Sequence, residues 1–130
     1  MFHAMRHARR FTCAALLGIL VSANAAATIF CEGPVTYLGL HSDGTLNVSV
    51  NNYGVWSICN LNTTFAGNGG RTYAPDTCRA WYAAILAAQK AGTSVMFYFE
   101  SSASSANGPE CNALGSWVIP NPSPYFMLAR

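Results

Sequence analysis

Charge is what this chain has least of. Only 9% of its 130 residues are Asp, Glu, Lys or Arg, and three of its seven cations, Arg6, Arg9 and Arg10, sit in the N-terminal leader. Residues 28 to 130 therefore carry four cations (Arg71, Arg79, Lys90, Arg130) against five acids, a formal charge of −1. The basic pI of about 8.3 belongs to the leader. No Lys/Arg cluster is left to neutralise phosphates, which excludes the electrostatic footprint of a nucleic-acid binder. Histidine is as scarce, with His41 alone beyond residue 27, and no two cysteines there form a short Cys-x-x-Cys-type knuckle. That excludes a zinc site by spacing. The run "GNGG" (67–70) lacks a following Lys-Ser/Thr, so it is a loop and not a phosphate cradle. No internal repeat is present, and no metal or cofactor is expected.

What is present first is a leader. Basic residues precede the apolar run "FTCAALLGILV", and "SANAAA" offers small-residue cleavage sites after Ala25 or Ala27. Residues 1 to 27 are expected to be a secretory signal peptide, since the apolar run is too short for a resident membrane span. The remainder, residues 28 to 130, has the length of one domain. Four cysteines survive cleavage, Cys31, Cys59, Cys78 and Cys111. An even count in a small secreted domain predicts two disulfides, with three possible pairings.

Hydropathy patterning supplies the elements. The run 31–40, "CEGPVTYLGL", is β-rich with Gly33-Pro34 near its start, and "HSDG" (41–44) carries a hairpin signal. In "TLNVSVN" (45–51), Leu46, Val48 and Val50 alternate with polar residues, as a half-buried strand requires. A third strand is predicted over 55–61 and loop over 62–75. Pro75 and Asp76 start a helix whose apolar residues recur at helical spacing, and Lys90 and Gly92 stop it. Residues 94–100 predict a fourth strand with Val95, Phe97 and Phe99 on one face. Residues 101–110 read as polar loop. The last β-prone stretch, 117–128, is broken by Pro120, Pro122 and Pro124, so its strand belongs at an edge or is interrupted.

The order β-β-β-α-β-β predicts a mainly β fold with one helix, a five-stranded OB-fold-like barrel whose helix plugs one open end. An α+β sheet with one covering helix is the alternative. In the barrel ordering Cys59 closes strand three and Cys78 opens the helix. Cys31 and Cys111 become neighbours if strands one and four run antiparallel. The pairing Cys31–Cys111 and Cys59–Cys78 follows.

Chemistry is harder to find. His41, Ser42 and Asp43 are adjacent letters of a triad, but triads assemble from separated segments and neighbours in a turn are expected to point apart. The five acids offer no convincing pair, and no catalytic residue is assigned. Aromatic residues are plentiful. Trp81, Tyr82 and Trp117 read as core or helix-packing residues, which leaves Trp56 and Tyr98 as candidate surface rings. The expected binding surface is strands two and three with the loops at 41–44 and 101–111, and the predicted ligand-binding set is His41, Asp43, Asn47, Ser49, Trp56 and Tyr98. "NVS" (47–49) and "NTT" (62–64) match glycosylation sequons.

The leader, the strand opened by Cys31, and "CRAWYAAILAAQKAGTSVMFYF" (78–99), a helix running into a hydrophobic strand, resemble the secreted OB-fold binding subunits of bacterial AB-type toxins. The resemblance implies a non-enzymatic module that recognises cell-surface glycans, with a homo-oligomer as a compatible state. The chain departs from that family in its two-bridge cysteine pattern and its proline-broken last strand. The expected function is a secreted or periplasmic binding module for a glycan or protein partner. The alternative is a disulfide-stabilised envelope structural or inhibitor protein.

Overall fold

The longest strand organises the molecule. The computed structural model describes residues 27–101 and 109–130; the expected leader, apart from Ala27, and most of the expected polar loop 101–110 lie outside them. Strand β1, Ala27–Leu40, is shared between two partners. Its first part pairs antiparallel with β6 (Ser94–Ser101), from Ala27 opposite Ser101 to Pro34 opposite Ser94. Its second part pairs antiparallel with β2 (Thr45–Val50), from Val35 opposite Val50 to Leu40 opposite Leu46.

The change of partner falls at Gly33-Pro34, and both residues suit it. Proline has no N–H to lose from a ladder, and the Pro34 carbonyl accepts from the Asn51 N–H at 3.0 Å. A Cβ on Gly33 would come within 2.5 Å of the Asn51 Cβ. The pair expected near a strand start is therefore the bend inside a longer strand.

Strand β3 (Trp56–Asn60) pairs with β2, and β7 (Pro124–Ala129) pairs with β6, which gives one antiparallel sheet in the order β3-β2-β1-β6-β7. The sheet is curled into a half-barrel. A single parallel bridge joins Trp56 to Val118, so the segment before β7 lies against the far strand of the same sheet. The proline-broken strand is at the sheet edge as expected, and Pro124 is its first residue. The major elements keep the predicted order. Two stretches expected as loop are partly ordered: β4 (Phe65–Ala66) and β5 (Thr72–Tyr73) form a small hairpin, and α2 covers Pro109–Ala113. The hairpin strands are two residues each, too short for hydropathy alternation to register.

Helix α1 spans Pro75–Ala91. Proline stands in its first turn, and Gly92 ends it in the left-handed region at φ 69°, which costs glycine no Cβ clash. Asp76 makes no cap; its carboxylate pairs with the Arg79 guanidinium at 3.0 Å and lies at the positive end of the helix dipole. The helix buries Cys78, Ile85 and Ala88 against a core of Leu46, Val48, Val50, Ile58, Val95, Phe97 and Phe99. Each large apolar side chain so enclosed contributes about 1.5–3 kcal/mol.

The cysteines pair as Cys31–Cys111 and Cys59–Cys78, with Cα atoms 5.7 and 5.5 Å apart. One bridge ties β1 to α2, and the other ties the end of β3 to the first turn of α1. Among the described residues no helix is long and apolar enough to cross a membrane.

Candidate ligand-binding cleft

The turn after β1 is held by its own side chains. His41 N–H donates to the Thr45 carbonyl at 2.8 Å, and Gly44 N–H to the His41 carbonyl at 2.9 Å. Asp43 Oδ1 accepts the Thr45 N–H at 2.8 Å and stands 3.3 Å from His41 Nδ1. That backbone bond, more than the histidine, holds the Asp43 carboxyl below its ordinary value of 3.8. His41 and Asp43 therefore meet, where neighbours in a turn were expected to diverge. Both side chains stay exposed.

Asn60, at the end of β3, knits this turn to the sheet. Its Nδ2 donates to the Asp43 carbonyl and to Thr45 Oγ1, each at 3.2 Å, and its Oδ1 accepts from the Asn62 and Thr63 N–H groups. A buried amide is worth most when every lone pair and proton is used. Beside it, the Ser57 hydroxyl donates to Asn47 Oδ1 at 2.7 Å.

Residues 115–119 lie alongside β3. The Trp56 indole N–H donates to the Gly115 carbonyl at 3.1 Å, and the Val55 N–H to Ser116 Oγ at 3.1 Å. Trp117 N–H donates to the Val55 carbonyl at 2.6 Å, and Ser57 N–H to the Val118 carbonyl at 2.9 Å. The approach is so close that a Cβ on Gly54 would lie 2.2 Å from the Gly115 oxygen. The glycine-rich loop secures the far end, since Asn68 Nδ2 donates to the Ile119 carbonyl at 3.0 Å.

These segments border an open cleft of about 390 Å³ lined by His41, Asp43, Thr45, Asn47, Ser57, Phe65, Trp117 and Ile119. Its volume falls in the range of small-molecule sites, about 300–1,000 Å³. The turn, β2 and β3 supply its polar groups, and Phe65, Trp117 and Ile119 its apolar ones. Trp117 is 65% exposed and packs edge-on against Tyr37, ring centroids 5.4 Å apart. Its backbone sits at φ 60°, a region that costs a bulky L-residue about 1–2 kcal/mol.

Of the six residues predicted from sequence, the structure brings His41, Asp43 and Asn47 to the cleft. Ser49 is one pleat further along β2, buried, with Thr36 Oγ1 3.1 Å from its hydroxyl oxygen; it is outside the lining. Asn47 is only 8% exposed, so the polar face of β2 is covered as well as the apolar one. Trp56 and Trp117 exchange the places expected of them. Trp56 is fully buried, edge-on to Phe97 and Phe99, and its ring offers no stacking face.

Tyr98 lies elsewhere, on the outward face of β1-β6-β7. There it stands between Phe30 and Phe126, directly across the ladders on both sides. Thr45, Ser57, Phe65, Trp117 and Ile119 escaped the sequence. A usable signal for Trp117 was its place after Gly115-Ser116, in a segment without alternation. Among the described residues no group of three His, Cys, Asp or Glu side chains converges. In comparison with known proteins, no family model matches the chain, and no curated protein or solved structure matches it.

Proposed function

We propose that this protein is a secreted, non-catalytic OB-fold binding module that recognises a cell-surface glycan through the cleft beside β2 and β3, in the manner of a toxin binding subunit. Support for the barrel comes from the sharing of β1 between two partners, the helix placed between β3 and β6, and the parallel bridge from Trp56 to Val118. That face and its loops are where such barrels take oligosaccharides. The two disulfides favour an oxidising, extracellular or periplasmic setting.

One observation carries the reading. An exposed tryptophan is held in a costly backbone conformation in a cleft that it shares with Asp43, Asn47 and Ser57. Strain of this kind persists where the surroundings over-determine it, and it concentrates at binding sites. A sugar ring presents C–H groups to an aromatic face and hydroxyls to the polar groups. The test is glycan-array screening of the oxidised protein beside Trp117→Ala. Retained glycans on the parent and none on the variant are expected; a parent silent on every glycan overturns the proposal.

A second reading, an envelope structural or inhibitor protein, draws on a different surface. Phe30 (54% exposed) and Phe126 (49% exposed) flank Tyr98 as a ladder of rings across three strands. Their edge-on packing, 74° and 61° between planes, presents no flat platform and suits a protein contact better than a sugar. Stoichiometric capture of one protein from the medium or periplasm, lost in Tyr98→Ser, would favour it.

A further inference from the structure

The hydrogen-bonding inventory of the cleft says more about its ligand than its shape does. Asp43, ionised, only accepts, and one oxygen is engaged by Thr45 N–H. The Ser57 proton is committed to Asn47 Oδ1, so its oxygen faces the cleft as an acceptor. Thr45 Oγ1 accepts from Asn60, and its hydroxyl proton goes to the Asp43 carboxylate. His41 Nδ1 faces Asp43 at 3.3 Å, and the nearly covered Asn47 amide nitrogen is the donor that remains. The polar lining therefore presents mainly acceptors, which suit the protons of sugar hydroxyls. The lining carries one anion and no Lys or Arg.

From this we infer that the moiety entering the cleft is an uncharged, hydroxyl-rich saccharide terminus, and that acidic termini such as sialic acid or sulfated sugars are selected against. The inference rests on the glycan reading above and narrows it. A hydroxyl both gives and takes a hydrogen bond, so it satisfies either kind of partner there. A carboxylate or sulfate gives none, meets no Lys or Arg in the lining, and approaches Asp43 as a like charge beside a histidine that Asp43 already engages. Two such charges about 4 Å apart in water weaken binding by about fivefold, and by more when water is squeezed out between them. The low proton affinity of Asp43, set by its bond to the Thr45 N–H, keeps that charge in place well below neutral pH.

The experiment uses matched pairs of oligosaccharides, each neutral glycan beside the same core capped by sialic acid or sulfate. Binding to the oxidised protein is read by calorimetry or tryptophan fluorescence. Neutral members are expected to bind, with the acidic cap weakening affinity by about fivefold or more. Raising salt from about 0.1 M to about 1 M shortens the screening length from about 10 to about 3 Å and should narrow that ratio. Asp43→Asn, which keeps an acceptor for the turn, should bring it close to one. Equal or tighter binding of acidic members overturns this inference while the glycan reading stands, as does a ratio indifferent both to salt and to Asp43→Asn. Silence toward every pair overturns the glycan reading and this one with it.

Discussion

Trp117 and Tyr73 show two opposite uses of a single side chain. Trp117 is exposed and backbone-strained, so its replacements separate conformation from contact. Glycine and alanine both delete the ring, but only glycine is at ease at φ 60°. Trp117→Gly is expected to be more stable than Trp117→Ala by about 0.5–1 kcal/mol, even after glycine's larger unfolded-state entropy is counted. Urea midpoints measure the difference, and the reverse order would mean the backbone relaxes once the ring is gone. Tyr73 is buried. Its hydroxyl donates to the Pro124 carbonyl at 2.6 Å, and burial raises its pKa above the ordinary 10.0. The native state therefore holds this proton more tightly than the unfolded chain does. That contribution is complete below pH 10.0 and is lost as pH climbs through the raised value. Tyr73→Phe should cost about 1–2 kcal/mol at neutral pH by orphaning the carbonyl. The gap to the parent should narrow as pH climbs above 10.0, as denaturation at neutral and at alkaline pH would show.

At the level of elements, the two bridges do unequal jobs. Cys59–Cys78 closes a separation of 19 residues and pins the start of α1 to the end of β3; Cys31–Cys111 closes 80 residues and pins α2 to β1. Loop-closure entropy assigns about 3 kcal/mol to the first and about 4.5 kcal/mol to the second. Each is a large share of the roughly 5–15 kcal/mol that holds a small domain folded. C31A/C111A should therefore unfold at lower denaturant than C59A/C78A. An inverted order would show that anchoring the helix matters more than shortening the unfolded loop. The helix itself has independent supports: proline at its start, Gly92 at its end, and a buried face of Cys78, Ile85 and Ala88.

Across the whole molecule, the cleft exists because distant segments are laid side by side. Residues 115–119 reach β3 through the Ser116, Gly115, Trp117 and Val118 bonds described above. The same segment follows α2, which Cys111 anchors to β1. Loss of that bridge should raise amide exchange across 112–119 and weaken the glycan binding proposed above by several-fold. C59A/C78A should leave both closer to the parent under conditions where each variant is folded. Hydrogen-exchange mass spectrometry checks it. Unchanged exchange in C31A/C111A would mean that the hydrogen bonds to β3 hold the segment unaided.

The sequence by itself determined what is encoded within a few neighbouring residues. The alternation of Val95, Phe97 and Phe99, the limits of α1 at Pro75 and Gly92, and the 41–44 turn are all local, and the cysteine pairing followed once their order was known. Only the tertiary structure decided which tryptophan is inside. Parity along a strand tells two faces apart, but Trp56 is buried against Phe97, Phe99 and the Gly115 segment, about forty to sixty positions away. The bend at Gly33-Pro34 was hidden for the same reason: a change of pairing partner is a property of β1, β2 and β6 together. Burial is a relation between segments, and no single segment carries it.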